Sequence, residues 1–196
     1  MGEIKRIYLL TGLILLFFSC NIINNNDKSE KLLEDAYKEV SINKEYNILL
    51  PKYLSKAANL NEDASLQYQN IFREVYIIVI DEPKDEFITL FKELGLYDES
   101  LTPLDNYSNF QNQHFSDETR EITYDSDFSD KTINNLPAKF KKLQAKVTGI
   151  DFEISYWNTY LESDTKMYTI MCWTLSDRQK KYDDTFIKVI NSFKVL

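Results

Sequence analysis

Very few residues in this 196-residue chain belong to the types from which most active sites are built. His114 is the only histidine, and Cys20 and Cys172 are the only cysteines, so a zinc site made of several His or Cys ligands is excluded. A catalytic His114 would need a cleft and a hydrogen-bonded partner, whereas its place at the edge of a predicted helix favours a structural role. We therefore expect no cofactor and favour a non-catalytic domain over an enzyme.

Acidic side chains between residues 116 and 135 are the strongest metal candidates in the sequence. Carboxylates in an exposed loop suit Ca²⁺, and Asp125, Asp127 and Asp130 are the best placed. Their spacing lacks the third ligand, the central Gly and the terminal Glu of an EF-hand loop. Solvated charge on a long surface loop is therefore favoured over a calcium site.

Aromatic side chains in the C-terminal third suggest a binding surface instead. If neighbouring strands present them together, they can line a groove and stack on ligand rings. Core packing and cross-strand pairing are the alternative. The alternative to a binding domain is a hydrolase of envelope polysaccharide or peptide that depends on a metal or on a pair of carboxylates that meet only in the fold. The aromatic candidates are Tyr156, Trp157, Tyr160, Tyr168 and Trp173.

The N-terminus has the pattern of an export signal. Lys5 and Arg6 precede an almost unbroken apolar run over residues 7–18. As a helix this run spans about 18 Å, short of the roughly 30 Å of a bilayer core. A short apolar run behind a basic flank is typical of a secretory signal peptide, which we favour over a membrane anchor or a buried core helix.

The residues that end this run, Phe17-Phe18-Ser19-Cys20, resemble the lipobox of bacterial lipoproteins, in the looser form of Bacteroidetes-type proteins. The resemblance implies removal of residues 1–19 and a thioether-linked diacylglyceryl group on Cys20, with palmitate-type acyl chains that hold the protein on a membrane. Asn21 stands where Asp would resemble an inner-membrane retention signal, which favours the outer membrane. A Cys20–Cys172 disulfide is the alternative use of these thiols.

Charge limits the partners. The formal net charge is -8, and removing residues 1–19 leaves 21 basic and 30 acidic side chains, a charge of -9. Nucleic acid needs a basic face and is not expected to bind. The lipid, rather than a basic patch, is expected to attach the protein to the membrane. The expected partner is a protein of the cell envelope.

Hydrophobic periodicity predicts an α+β domain at residues 45–196. Residues 20–44 before it are expected to hold the lipidated Cys20, a polar tether and a short helix near residues 29–40. Strands are expected at 46–50, 65–70 and 74–81, the last buried on both faces. Two helices follow, the first with one apolar stripe of Phe87, Leu90, Phe91 and Leu94 that is closed by Gly95. An antiparallel meander over residues 143–174 and a helix at 177–193 complete the domain.

Several of these segments resemble the PsbP/Mog1-like family as it occurs in small bacterial lipoproteins. The resemblance implies a central antiparallel sheet flanked by helices on both faces, an α/β/α sandwich. Known members are mainly accessory or binding proteins, so it also implies a non-enzymatic binding or scaffolding domain. The segments are residues 46–51, 65–70 and 74–82, Tyr168 with Trp173-Thr174, and Ile190-Asn191-Ser192-Phe193-Lys194.

Overall fold

The computed structural model describes residues 29–115 and 119–196. The predicted signal peptide, the lipidated Cys20 and most of the tether lie outside these residues. No helix within the described ranges has the length and apolar character to span a membrane. The helices are α1 (Lys84–Glu93), α2 (Pro103–Phe115) and α3 (Gln179–Asn191). The strands are β1 (Tyr37–Ile42), β2 (Tyr46–Pro51), β3 (Ser55–Lys56), β4 (Ala64–Asn70), β5 (Val75–Pro83), β6 (Arg120–Asp125), β7 (Ser129–Ile133), β8 (Leu136–Val147), β9 (Glu153–Glu162), β10 (Lys166–Leu175) and β11 (Lys194–Val195).

Eight strands form one antiparallel sheet in the order β3-β4-β5-β10-β9-β8-β6, with β7 also paired to β8. The predicted meander is confirmed as β8, β9 and β10, and the predicted two-face-buried strand is β5, next to β10. Cys172 on β10 stands opposite Ile77 on one side and Trp157 on the other. Short connections enforce the antiparallel pairings of β8 with β9 and of β9 with β10.

Helices cover both faces of this sheet. On one face, α3 packs on a core that contains Trp157 and Tyr168. On the other face, α1 and α2 cover Tyr160 and Met167. Neighbouring residues of a strand point to opposite faces, so the apolar runs of the central strands supply both cores at once. The predicted α+β architecture, an antiparallel sheet flanked by helices, is confirmed.

A second, three-stranded sheet has the order β1-β2-β11, and the helix predicted near residues 29–40 is wrong. Only Glu34–Ala36 form a single 3-10 turn, and the next six residues are strand β1. Asn43 and Lys44 turn the chain with positive φ angles of 51° and 59°, which pairs Ile42 with Tyr46. Leu32, Leu33 and Tyr37 have helical spacing, but the pairing of β1 with β2 decides the structure because strand preference depends on such tertiary contacts.

The long acidic loop predicted for residues 116–135 is also wrong over its described part. β6 and β7 pair with successive halves of the twelve-residue strand β8. Both strands lie at the edge of the sheet and keep most side chains exposed. Charged side chains are typical of such edge strands, so the acidic composition reflects exposure and not the absence of a strand.

Candidate functional site

The five aromatic residues predicted to line one groove lie on opposite faces of the eight-stranded sheet. Trp157 and Tyr168 belong to the core beneath α3, whereas Tyr156, Tyr160 and Trp173 belong to the cores on the other face. All except Trp173 are buried. A single ligand face built from these residues is therefore wrong, and core packing accounts for them.

Trp157 shows how these aromatics are held. Its indole Nε1 donates a 2.7 Å hydrogen bond to Asp183 Oδ1 on α3. The same carboxylate oxygen accepts a hydrogen bond from Lys142 Nζ. The ring lies 4.8 Å from the ring of Phe186, centroid to centroid. A buried indole needs a partner for its N–H, and here that partner fastens α3 to the sheet.

Two of the calcium candidates, Asp125 and Asp130, form ion pairs with lysines. Asp125 Oδ1 lies 2.8 Å from Lys141 Nζ, and Asp130 Oδ1 lies 2.9 Å from Lys139 Nζ. Lys141 is almost fully buried, and a buried cation requires a counter-ion. Asp127 is exposed. In residues 29–115 and 119–196, no group of three or more His, Cys, Asp or Glu is arranged to hold a metal ion.

The remaining chemistry-bearing residues have structural surroundings. His114 is exposed at the end of α2, with Nδ1 3.0 Å from the Phe110 carbonyl oxygen and its ring 3.9 Å from the Phe110 ring. Cys172 is a free thiol, fully buried in β10, and burial raises its pKa. The thiolate is the reactive form of cysteine, so Cys172 behaves as a small apolar side chain, as predicted.

A buried polar network lies between α2 and the sheet. The Tyr107 hydroxyl donates a 2.8 Å hydrogen bond to Glu82 Oε1 and lies 3.0 Å from Thr169 Oγ1. Gln111 Nε2 donates to the same carboxylate oxygen at 3.3 Å. Burial is the main cause that raises the pKa of Glu82, with a smaller opposing effect from the Tyr107 hydrogen bond. Such a carboxyl is a candidate general acid wherever substrate can reach it.

Two carboxylates lie close enough to Glu82 to raise its pKa further, the exposed Asp63 and the neighbouring Asp81. Two-carboxylate hydrolysis needs a second carboxyl across the scissile bond from the first. The neighbouring Asp81 points to the opposite face of the sheet because strand residues alternate. Its Oδ2 lies 2.6 Å from Lys166 Nζ. The hydrogen bonds from Tyr107 and Gln111 to Glu82 connect α2 to the sheet.

Exposed leucines form the most distinctive surface of the described chain. Leu90, Leu94 and Leu96, which we call the leucine surface, are all exposed at the C-terminal end of α1, and Leu101 is exposed in the same connection to α2. Gly95, at φ 67°, reverses the chain there. Grouped apolar side chains of this kind mark interaction sites, whereas single exposed leucines need no explanation.

The backbone at this end of α1 follows the Schellman pattern. Leu96 N–H donates to Phe91 O at 2.9 Å, and Gly95 N–H donates to Lys92 O at 3.1 Å. This pattern brings the residue after the glycine onto the last helical turn, so Leu96 joins Leu90 and Leu94. The helix end predicted from Gly95 is confirmed, while its consequence for Leu96 was not predicted.

The connection that follows is fixed in shape by Asn106. Its Oδ1 accepts a 2.8 Å hydrogen bond from Asp98 N–H, and its Nδ2 donates to Asp98 O at 2.9 Å. Lys92 Nζ pairs with Glu99 at 2.8 Å across the same segment. These contacts hold the backbone beside the leucine surface in one shape.

Sequence reasoning missed both the leucine surface and the Glu82 network. It placed Leu90 and Leu94 on the core stripe of α1, whereas only Phe87 and Phe91 are buried there. Phe87, Leu90, Phe91 and Leu94 have the spacing of a single apolar face, so no local pattern separates the exposed leucines from the buried phenylalanines. Glu82 and Tyr107 are 25 positions apart, so no local pattern pairs them.

No protein-family model and no curated protein sequence matches this chain. Among solved structures, the chain is similar to cyanobacterial PsbP (CyanoP) from Synechocystis sp. PCC 6803, with a TM-score of 0.51 and 13% identity over 91% of this chain and 98% of that one. A protein of unknown function from Pseudomonas aeruginosa, PA94, gives a TM-score of 0.44 and 8% identity over 80% of this chain and 94% of its own, too low for a conclusion. At these identities the likeness concerns the fold alone, and this chain therefore carries a domain with a PsbP-like fold.

Proposed function

We propose that this protein is a lipid-anchored component of the bacterial cell envelope, on the outer membrane, whose PsbP-like domain binds another envelope protein without catalysis. The lipobox-like residues before Cys20 support the anchor. The leucine surface is the observation that supports the binding role, because it is apolar, grouped and fixed in shape. The hydrolase alternative gains no support from the described carboxylates.

Charge around the leucine surface defines the chemistry of the partner. Exposed carboxylates lie along α1 and in the connection to α2. The lysines of the same segment, Lys84 and Lys92, already form ion pairs with Glu162 and Glu99. The best fit is a protein with an apolar strip bordered by Lys or Arg, because complementary charge speeds and orients association. The exposed carboxylates are Asp85, Glu86, Glu93, Asp98 and Glu99.

Affinity capture from detergent-solubilised envelopes tests this binding role. The tagged full-length protein is compared with the double substitution Leu94→Ser/Leu96→Ser and with Leu33→Ser, which changes a leucine that is 75% exposed elsewhere. We expect wild type and Leu33→Ser to recover one stoichiometric protein, the double variant to lose it, and higher salt to slow the association. Equal thermal stability of the three proteins shows that loss of binding is not loss of folding.

Two outcomes would contradict a binding role of the leucine surface. One is recovery of the same partner in the same amount by wild type and by the double variant, which would remove the leucine surface from the interface. The other is the absence of any stoichiometric protein partner of wild type, which would leave the exposed leucines without a binding role.

A further inference from the structure

The turn between β4 and β5 holds the most exposed aromatic side chain of the described residues. Phe72 is 90% exposed, and its neighbour Ile71 is also exposed. The backbone below them is well fixed, because Arg73 N–H donates to the Asn70 carbonyl oxygen at 3.2 Å and to Asn70 Oδ1 at 3.0 Å. Leaving such side chains in water forgoes roughly 1.5–3 kcal/mol each, so an ordered turn that presents them calls for an apolar environment.

This turn lies where the described chain begins. Glu30 N–H donates to Lys181 O on α3 at 2.7 Å, and the Glu30 carboxylate forms an ion pair with Arg73, the residue after Phe72. Tyr53 donates a 3.0 Å hydrogen bond to Glu30 and lies under the Arg73 guanidinium, 4.2 Å from ring centroid to Cζ. The N-terminal segment therefore joins the domain directly beside the exposed turn.

A second exposed phenylalanine lies at the same end of the sheet. The strand register places the start of β5 and the end of β10 together, since Tyr76 pairs with Trp173. It also places the start of β9 there, since Ile154 pairs with Leu175. Phe152, in the turn before β9, is exposed. Ile71, Phe72 and Phe152 thus form a set, which we call the apolar tips, at one end of the eight-stranded sheet.

Basic side chains lie near the apolar tips, together with the carboxylates of Glu74, Asp151 and Asp177. Lys180 and Lys181 are exposed on the first turn of α3, which begins at this end of the sheet. Arg178 Nη1 donates to the Phe72 carbonyl oxygen at 3.5 Å. Exposed aromatic and aliphatic side chains beside Lys and Arg are the combination that binds an anionic bilayer surface.

We propose that the apolar tips rest in the interfacial layer of the membrane that carries the lipid anchor, so that the domain is docked on the bilayer in one orientation. The inference rests on the proposed anchor at Cys20. Eight residues lie between Cys20 and Ser29, and the nine steps from one Cα to the next span at most about 30 Å, so a lipid on Cys20 keeps the apolar tips within reach of the bilayer. Three partly inserted side chains then add to the hold of the acyl chains.

Tryptophan placed at the turn reports this docking directly. The full-length lipidated protein is reconstituted in vesicles of brominated phosphatidylcholine with anionic phosphatidylglycerol, as wild type, as Phe72→Trp and as Leu196→Trp. Leu196 is a matched control because it is 61% exposed and lies at the other end of the sheet, with its N–H bonded to Glu45 O. Glu45 pairs there with Lys166, the first residue of β10.

The predicted result is that the emission added by Phe72→Trp shifts to the blue and loses most of its intensity to bromine, whereas the emission added by Leu196→Trp does neither. The wild-type spectrum is subtracted from each variant spectrum to remove the emission of Trp157 and Trp173. Equal behaviour of the two variants in protein that carries the lipid would overturn the docking and leave the anchor standing. Mass spectrometry that finds no lipid on Cys20 would overturn the anchor and the docking with it.

Discussion

The Tyr107 hydroxyl on α2 donates a hydrogen bond of 2.8 Å to Glu82 Oε1 on β5, across the interior of the domain. Tyr107 is fully buried, and the bond connects residues that are 25 positions apart in sequence. It is one of the polar contacts that join the helical layer carrying the leucine surface to the sheet. Burial at this position raises the pKa of Glu82, so the carboxyl titrates differently in the folded and the unfolded protein.

Removing the Tyr107 hydroxyl tests this contact. In Tyr107→Phe, Glu82 keeps only the longer hydrogen bond from Gln111, so we expect a loss of about 1–3 kcal/mol in the free energy of unfolding. Urea unfolding measures it. The loss should be smaller when Glu82→Gln is already present, because the two residues act as a pair. Equal losses in both backgrounds would show that the hydroxyl acts elsewhere.

The raised pKa of Glu82 predicts a pH dependence of stability. Burial raises the pKa of Glu82 in the folded protein above the ordinary 4.5. At a pH between 4.5 and the folded pKa, the folded protein therefore binds more protons at Glu82 than the unfolded chain does. The contribution to stability is therefore complete below pH 4.5 and is lost as the pH rises through the folded pKa. Glu82→Gln does not titrate, so its unfolding free energy relative to wild type should increase with pH across that window.

Urea unfolding of wild type and Glu82→Gln at a series of pH values makes this comparison. All other titrating groups are shared by the two proteins, so they cancel in the difference. A difference that stays constant from pH 4.5 upward would mean that the folded and unfolded pKa values of Glu82 are equal.

The ion pair of Asp125 distinguishes a lysine partner from a calcium site. Asp125→Asn leaves Lys141, which is 6% exposed, without its counter-ion, and we expect a loss of about 2 kcal/mol in urea unfolding without any added metal. Asp127→Asn, at an exposed position, should change stability by less than about 0.5 kcal/mol. Added Ca²⁺ should leave the melting temperature of wild type unchanged. A calcium-dependent rise that both substitutions abolish would restore the metal site.

Lys166 joins the two sheets. Its Nζ lies 2.7 Å from Glu45 Oε2, in the turn before β2, and 2.6 Å from Asp81 Oδ2 on β5. Lys166→Met leaves the largely buried Asp81 without a cation and should cost about 1–3 kcal/mol of unfolding free energy. Lys92→Met is the control, because the Lys92–Glu99 pair is exposed and should contribute little. Equal effects of the two substitutions would place Lys166 among ordinary surface charges.

Patterns that repeat within one element were readable from the sequence. β5 and the meander of β8, β9 and β10 follow from alternation and short turns, and the end of α1 follows from Gly95. The residues of β1 were misread because their apolar spacing fits a helix locally, and only the partner strand β2 decides between the two.

The candidate surfaces depend on what covers each face, which is why the sequence predicted them poorly. Tyr156 and Trp157 looked like neighbours on one surface, yet they enter separate cores on opposite faces. Leu90 and Leu94 looked like core residues, yet no described element covers them fully. Phe72 had one local signal, an Ile-Phe pair in the short turn between two strands, where polar residues and glycine are usual.

The proposed lipid on Cys20 would hold this domain on a membrane. Metabolic labelling with palmitate, followed by membrane fractionation of wild type and Cys20→Ser, tests for that lipid. We predict that wild type incorporates the label and sediments with membranes, whereas Cys20→Ser is unlabelled and soluble. Label that persists on Cys20→Ser, or a wild-type protein that never acquires label, would rule out the lipid anchor at Cys20.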